Sequence, residues 1–192
     1  MAENIPYEII ASPFEVYITT HGDSFPGLTA TPGGNWARLG RNGIRNQAEG
    51  GVTIAHEQVL VYHRVEGNTG PVKATRTSED QRISFTLNDL RGNTYKLGLG
   101  GDAVEATGTT RSIGLSRGLG VREMKMLIRG VSPASATGNC QYKVPRVIQS
   151  GNPAPVFSKG EMAGLAFEFM TLDDQSSADT GSRFGDFEYE EA

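Results

Sequence analysis

The stretch GLSRG, residues 114–118, places Ser116 between two glycines, as in the strand-to-helix turn that presents a nucleophilic serine to esters or amides. In that arrangement an acidic residue and then a histidine follow the serine along the chain. Here all three histidines, His21, His56 and His63, precede Ser116. The chain also lacks the alternating strands and crossover helices of a parallel sheet. We therefore predict that Ser116 is a turn residue and that the serine hydrolase hypothesis is the weakest one.

Three further patterns are typical of chemical sites. The stretch DTGS, Asp179 to Ser182, resembles an aspartic protease loop, but that chemistry needs two rigidly held carboxylates that share a proton. His56 and His63 stand seven residues apart on opposite faces of a predicted strand, without a third metal ligand. The glycine runs at residues 98–101 and 118–120 lack the spacing of phosphate loops. We predict no enzyme activity, no catalytic residue, no metal and no cofactor.

Composition indicates one globular domain without strong affinity for nucleic acid. The chain has 192 residues, 37% of them hydrophobic, and a net charge of −4, whereas surfaces that hold phosphate backbones concentrate Lys and Arg. Cys140 is the only cysteine, so no internal disulfide can form. No apolar run approaches the roughly 18 residues of a membrane helix. We expect a soluble protein made in the cytoplasm, with no membrane partner.

The pattern of apolar residues predicts a mostly β fold. Short segments alternate apolar and polar residues with a period of two and are separated by glycine-rich loops, as in half-buried antiparallel strands. One helix is predicted where Leu87, Leu90, Thr94 and Leu97 recur at helical spacing, although Gly92 in its middle costs about 1 kcal/mol. The predicted strands cover residues 14–19, 82–87, 124–129 and 165–170.

Residues 51–80 predict a long hairpin. The apolar residues begin in one phase at Val52 and Ile54 and continue in the other at Val59 and Val61, so one flat face cannot bury them all. The strand must therefore bulge or change partner. We expect the outer part, about residues 59–80 and here called the hairpin arm, to project beyond the domain. Its apolar side chains, Tyr62 included, then need a partner to cover them.

The two ends of the chain predict arms that flank a domain of residues 12–174. Residues 1–11 form an N-terminal arm, and residues 175–192 form an acidic C-terminal arm that we expect to be disordered alone. The last twenty residues contain seven acidic residues and one arginine. Phe184, Phe187 and Tyr189 would let the C-terminal arm dock on a partner. The alternative is an acidic terminus that only solvates the protein.

The order and style of these segments resemble the tail tube (major tail) proteins of long-tailed bacteriophages. The resemblance covers roughly residues 12–174 and rests on PFEVYITTHGDSFPGL, GGNWARLGRNGIRNQAEGGVTIAHEQ, the long hairpin, ISFTLNDL and GLAFEFMTLDD. It implies two packed antiparallel sheets, as a sandwich or barrel, with one flanking α-helix. It also implies hexameric rings that stack into a hollow tube, contacts with other tail proteins, passage of DNA without specific binding, and a place in the virion tail after assembly in the host cytoplasm.

The resemblance assigns roles to particular residues. It implies that the hairpin arm stacks on the next ring, and Val59, Val61, Tyr62 and Val72 are the stacking residues. We further expect arms that are disordered in the monomer and become ordered on assembly, which would oppose premature polymerisation.

A bore through which DNA slides must not hold phosphates. Our candidates for its lining are small, polar or acidic residues on the non-core face of the strands beside the hairpin arm. Arg82 and Lys125 would argue against this lining if they lay there unpaired. The lumen candidates are Thr53, Glu57, Ser84 and Thr86.

Two other kinds of interaction protein fit the same sequence. A capsid-decorating or receptor-binding β domain of a virion would form trimers or bind a finished shell. A secretion-system tube protein would share the tube architecture, although the predicted bore and long hairpin favour a phage.

Overall fold

The predicted all-β fold is confirmed in a computed structural model of the chain. The structure describes residues 14–20, 22–40, 43–88, 91–99, 104–107, 109–116, 118–135, 137–155, 159 and 163–191. The predicted N-terminal arm, residues 1–11, and His21 lie outside the described residues.

The described residues form ten strands, one α-helix and two 3-10 turns. The strands are β1 Glu15–Thr20, β2 Ala37–Arg38, β3 Gln47–His63, β4 Lys73–Leu87, β5 Val104–Thr107, β6 Thr110–Ile113, β7 Glu123–Val131, β8 Asn139–Gln149, β9 Leu165–Thr171 and β10 Asp186–Tyr189. The helix α1 spans Gly92–Leu99, and the 3-10 turns span Gly43–Asn46 and Thr180–Ser182. The four strands predicted from alternation correspond to β1, β4, β7 and β9.

Eight strands form one antiparallel sheet, in the order β2-β1-β7-β8-β9-β4-β3, with β10 paired to β8. Strands β5 and β6 form a separate hairpin. Strand β8 contacts β9 through three residue pairs, between residues 147–149 and 169–171. The resemblance implies two separate antiparallel sheets. In the structure, hydrogen bonds at this short junction join the strands into one sheet.

One apolar core lies on a single face of the sheet. Alternate residues of β1, β4, β7 and β9 supply it, as the period-two pattern requires. Strand β8 adds Val144 and Val147, which are three residues apart because its pairing with β7 shifts between them. Its centre is a stack of three rings, in which Phe85 lies 5.4 Å from Phe167 and 5.9 Å from Phe169. Phe167 and Phe169 are 6.0 Å apart. These stacked rings join β4 to β9 near the base of the long hairpin.

The predicted helix exists, but its start is wrong. Leu87 continues the alternation of β4, is fully buried and pairs with Leu165, so the sheet uses it. The helix begins at Gly92 and not before it, which places the glycine at the end where its cost is small. Leu90 lies outside the described residues. The helix flanks β9 and the β5–β6 hairpin.

The long hairpin is formed by β3 and β4, which have 17 and 15 residues. The predicted bulge is present, but its extra residue is on β4. Val59 pairs with Ser78 and Leu60 pairs with Arg76, so Thr77 has no opposite residue. Strand β9 pairs with β4 over residues 82–87, and β3 ends the strand order of the sheet. The hairpin arm is therefore a two-stranded ribbon that extends beyond the rest of the sheet.

The C-terminal arm is not disordered, which corrects the expectation from its composition. Residues 186–189 form β10, which pairs with residues 140–143 of β8 in the same chain. An open strand edge on β8 supplies the hydrogen bonds that an isolated acidic segment lacks.

Candidate assembly surfaces

The hairpin arm exposes apolar side chains on both of its faces. Val59 and Val61 are 57% and 43% exposed, and Tyr62 is 59% exposed. Partners in an antiparallel ladder share a face, so Val59 and Val61 lie on one face and Tyr62 on the other. Val72, at the base of the turn, is 54% exposed. The predicted stacking residues therefore lie on one projecting ribbon, and their contact with another ring stays a prediction.

The hairpin arm is ordered by its own hydrogen bonds, which corrects the expectation of disorder in the monomer. His63 Nε2 and Thr75 Oγ1 are 2.8 Å apart across the ribbon. Arg76 donates to Gln58 Oε1 at 3.0 Å and to Glu79 Oε2 at 2.7 Å. A preformed arm loses less conformational entropy when it binds than a disordered one.

The four lumen candidates lie on the face of β3 and β4 opposite the core. Thr53 pairs directly with Ser84, and the two-residue period places Glu57 and Thr86 on the same face. The structure brings these four residues together on one strip. Whether the strip lines a bore stays a prediction.

Arg82 lies on this same strip but is paired with carboxylates from both neighbouring strands. Its Nη1 donates to Glu168 Oε1 at 2.9 Å, and its Nε is 3.5 Å from Glu57 Oε2. The hydrogen bond to Glu168 and the charge of Glu57 raise the pKa of the Arg82 guanidinium. Arg82 is thus not the unpaired cation that would argue against the lining.

Lys125 is also partnered. Its Nζ donates to the carbonyl of Asp23 at 2.6 Å and lies 5.1 Å from the centroid of the Phe25 ring. The ring of Phe25 in turn packs on Trp36, at 5.5 Å between centroids, and Trp36 Nε1 donates to Ser24 O. The loop of residues 22–36 therefore covers this cation.

Strand β10 holds the predicted docking aromatics against the body of its own chain. The rings of Phe187 and Tyr142 stack with centroids 4.3 Å apart, and Tyr189 lies 5.5 Å beyond Phe187. Phe187 and Tyr189 nevertheless remain 41% and 49% exposed. Phe184 is half-buried in the segment before β10. Docking of these residues on a second copy stays a prediction.

Polar contacts hold β10 on β8 more specifically than the stacking of its aromatic rings does. The fully buried Gln141 donates from Nε2 to Glu188 Oε2 at 2.9 Å and accepts from Arg129 Nε at 3.1 Å. Arg129 also donates to the carbonyl of Gly27 at 2.8 Å. Lys143 Nζ forms an ion pair with Glu188. Hydrogen bonds from Lys143 and then Gln141 lower the pKa of the Glu188 carboxyl.

A second contact anchors the chain beyond β10. Glu190 Oε2 accepts from the backbone N–H of Asn139 at 2.6 Å, and the Glu190 carbonyl accepts from Ser132 Oγ at 2.7 Å. The acidic residues of the tail therefore act partly as hydrogen-bond acceptors for the β7–β8 turn. Their role is more than solvation.

Gln141, Lys143 and Glu188 are the contact residues that the sequence analysis missed. The stretch DFEY, residues 186–189, does alternate acidic and aromatic residues with the two-residue period of a strand. The acidic composition of the tail outweighed this signal. Nothing in the order of residues marks β8 as its partner.

The chemical motifs lie in simple structural settings. Ser116 lies in the loop from β6 to β7, and its Oγ accepts a hydrogen bond from Gly118 N at 3.3 Å. The next described element is strand β7, whereas a nucleophile turn requires a helix there. Asp179 caps the 3-10 turn by accepting from Gly181 N at 2.9 Å. His56 Nε2 lies 3.4 Å from Gln81 Nε2.

The described residues offer neither a cluster of metal ligands nor a helix suited to a membrane. No group of three or more His, Cys, Asp or Glu side chains in them is arranged to hold a metal ion. Within the same residues, no helix combines the length and the apolar character needed to span a membrane.

No protein-family model matches this chain, and no curated protein sequence matches it. Among solved structures, it is similar to a chain of the anti-feeding prophage baseplate, which was determined by cryo-EM and symmetrised sixfold. The similarity covers 100% of this chain and 98% of that chain, with 8% sequence identity and a TM-score of 0.49. A likeness of this size assigns neither a fold nor a role.

Proposed function

We propose that this chain is a structural subunit of a virion tail, which forms hexameric rings that stack into a hollow tube for DNA delivery. The observation that carries the proposal is the hairpin arm, an ordered ribbon with exposed Val59 and Val61 on one face and exposed Tyr62 on the other. A soluble monomer gains nothing from such a surface, because exposed apolar strands promote aggregation. A neighbouring copy that covers the hairpin arm would bury these side chains and prevent such aggregation.

The position of the hairpin arm favours a stacked assembly over a closed pair. The arm extends past the point where β9 stops pairing with β4, so a partner can reach both of its faces. Contacts between an arm on one copy and a different surface on the next are heterologous, and such contacts repeat without closing along one axis. This geometry supports growth of a tube by addition of rings.

The strip of lumen candidates supports the passage of DNA. Thr53, Ser84 and Thr86 are small and neutral, and Arg82, a cation on the same strip, is paired with Glu57 and Glu168. A guanidinium that is already paired with carboxylates offers little attraction to a phosphate. A bore lined by this strip would let a duplex slide.

Negative-stain electron microscopy of the concentrated, purified chain tests the proposal. We expect rings with sixfold symmetry, and tubes at higher concentration. Compact trimers would contradict the proposal and support a capsid-decorating or receptor-binding domain. Tubes that form with a bore too narrow for a DNA duplex would instead support a secretion-system tube protein.

A further inference from the structure

Strand β10 occupies a defined site on the edge of β8. Strand β7 pairs with one side of β8 along most of its length, so β9 and β10 share the other side. Strand β9 reaches residues 147–149, and among the described residues β10 is the partner on that side at residues 140–143. We call residues 139–143 the β8 docking edge. Without β10 this edge would leave backbone groups unpaired, and the ring of Tyr142 would lose its stacking partner Phe187.

The contacts between β10 and the β8 docking edge are specific but few. Four residue pairs join the two strands, Glu188 contacts Gln141 and Lys143, and Glu190 just beyond β10 bonds to Asn139. The two aromatic residues of β10 stay about half exposed, so they bury little apolar surface. A short peripheral strand with these properties is expected to open at a lower free energy than the core.

The segment that leads to β10 is closed on itself rather than packed into the core. Asp174 N donates to the carbonyl of Arg183 at 3.2 Å, and Arg183 Nη1 is 3.7 Å from Asp173 Oδ2. Residues 173–185 therefore form a loop whose ends meet before β10 begins. If the loop opens, these 13 residues can span roughly 40 Å.

We propose that the β8 docking edge is an exchangeable strand site, in which β10 of a second copy replaces the chain's own β10. The incoming strand would make the same contacts with β8 as the chain's own β10. The net free-energy cost of exchange is therefore that of opening the loop and of bringing two copies together. The acidic and aromatic strand suits the edge because Glu188 complements Lys143 and the buried amide of Gln141. This proposal needs copies of the chain to meet, but it does not need them to form a tube.

The sole cysteine of the chain provides a direct probe. Cys140 pairs with Tyr189 across β8 and β10. Glu190 N donates to Asn139 O, so ladder alternation makes Cys140 and Tyr189 a pair without mutual backbone hydrogen bonds. Such pairs bring the Cα atoms to about 4.5 Å, a distance that a disulfide can bridge. Burial raises the pKa of the Cys140 thiol, so oxidation is done at mildly alkaline pH.

The test mixes two full-length chains under oxidising conditions. The donor carries Cys140→Ala and Tyr189→Cys, so its thiol is on β10, and the receptor is the wild-type chain, whose thiol is on the β8 docking edge. A single Tyr189→Cys chain, which keeps Cys140, is the control that must form an internal disulfide. A second receptor carries Glu188→Lys. This substitution weakens the docking of the receptor's own β10, because it replaces the ion pair with Lys143 by two like charges.

We expect a disulfide-linked heterodimer of donor and receptor, with a yield that rises with concentration and several-fold more product with the Glu188→Lys receptor. An internal disulfide in the control without any heterodimer would overturn the proposal, because β10 would then dock only in its own chain. Failure of the control would also overturn it, since the strand pairing itself would be absent. Tubes seen by microscopy without heterodimer would leave the proposed function standing and reject strand exchange alone.

Discussion

The carboxylate of Glu188 and the side-chain amide of Gln141 meet at 2.9 Å, although 47 residues separate them in the chain. Gln141 also accepts a hydrogen bond from Arg129, which donates in turn to the carbonyl of Gly27 in the loop of residues 22–36. The C-terminal strand is thus tied by buried polar groups to a loop near the start of the described chain. Its docking depends on a few charged and amide groups.

Docking of β10 is predicted to weaken in acid. The hydrogen bonds from Lys143 and Gln141 lower the pKa of Glu188 in the folded protein, so their stabilisation is fully present above the ordinary glutamate pKa of about 4.3. It is lost as the pH falls through the lower folded-state pKa. NMR spectra of the amides of residues 186–189 should show this release. Glu188→Gln should abolish the acid transition, whereas Glu191→Gln, an exposed acid nearby, should keep it.

Gly185 is predicted to be indispensable for the entry into β10. Its φ is 131°, and an added Cβ would lie 2.4 Å from the carbonyl oxygen of Lys143. Gly185→Ala should therefore displace β10 and increase proteolysis after residue 172. Gly120→Ala is the matched control, because nothing lies within 4 Å of its Cβ position. Equal protease resistance of both variants would contradict this account of the turn.

Stability and assembly are predicted to depend on different apolar residues. Phe167→Ala removes the ring that packs on Phe85 and Phe169 and should cost about 3–5 kcal/mol of unfolding free energy in urea titrations. Val61→Ala, on the hairpin arm, should change the unfolding free energy by about 0.5 kcal/mol or less. A large loss of stability in Val61→Ala would show that the arm is packed within its own chain.

The pairing of Arg82 is predicted to keep the assembled protein from holding DNA. Tubes of the Glu57→Gln, Glu168→Gln double variant should co-sediment with a short duplex at about 50 mM salt and release it near 200 mM. Wild-type tubes should not bind it. Adding Arg82→Gln to the double variant should abolish the binding. If this triple variant binds as strongly as the double variant, Arg82 is not the group that Glu57 and Glu168 neutralise.

The long hairpin and the main core strands could be predicted from sequence because their signals are local. The change of apolar phase between Ile54 and Val59 indicates that one sheet face cannot bury both, and in the structure Ile54 packs against the core whereas Val59 and Val61 stay exposed on the opposite face. Alternation in β4 and β9 gives the buried residues directly, whereas in β7 Leu127, which alternation assigns to the outer face, is fully buried as well. The predicted helix start was wrong because Leu87 fits both a helical and a strand pattern, and pairing with Leu165 decides between them.

Strands β8 and β10 could not be predicted because tertiary contacts create them. Pro145 inside β8 argues against a central strand, since it cannot donate to a ladder. In the structure it lies where the pairing shifts between Met124 with Val147 and Met126 with Val144, and the ladder with β7 continues on either side of the proline. Strand β10 forms because β8 offers an open edge. The order of residues does not show that edge.

The central claim, that sister copies cover the hairpin arm, is tested most directly by sedimentation velocity over a range of concentrations. The variant Val59→Lys, Val61→Lys is compared with wild type and with Thr29→Lys, Thr31→Lys, which adds the same charge on an exposed loop. The account predicts that wild type and the loop variant shift to large species as concentration rises, while the arm variant stays monomeric and folded. A wild-type chain that remains monomeric throughout, or an arm variant that assembles as wild type does, would contradict it.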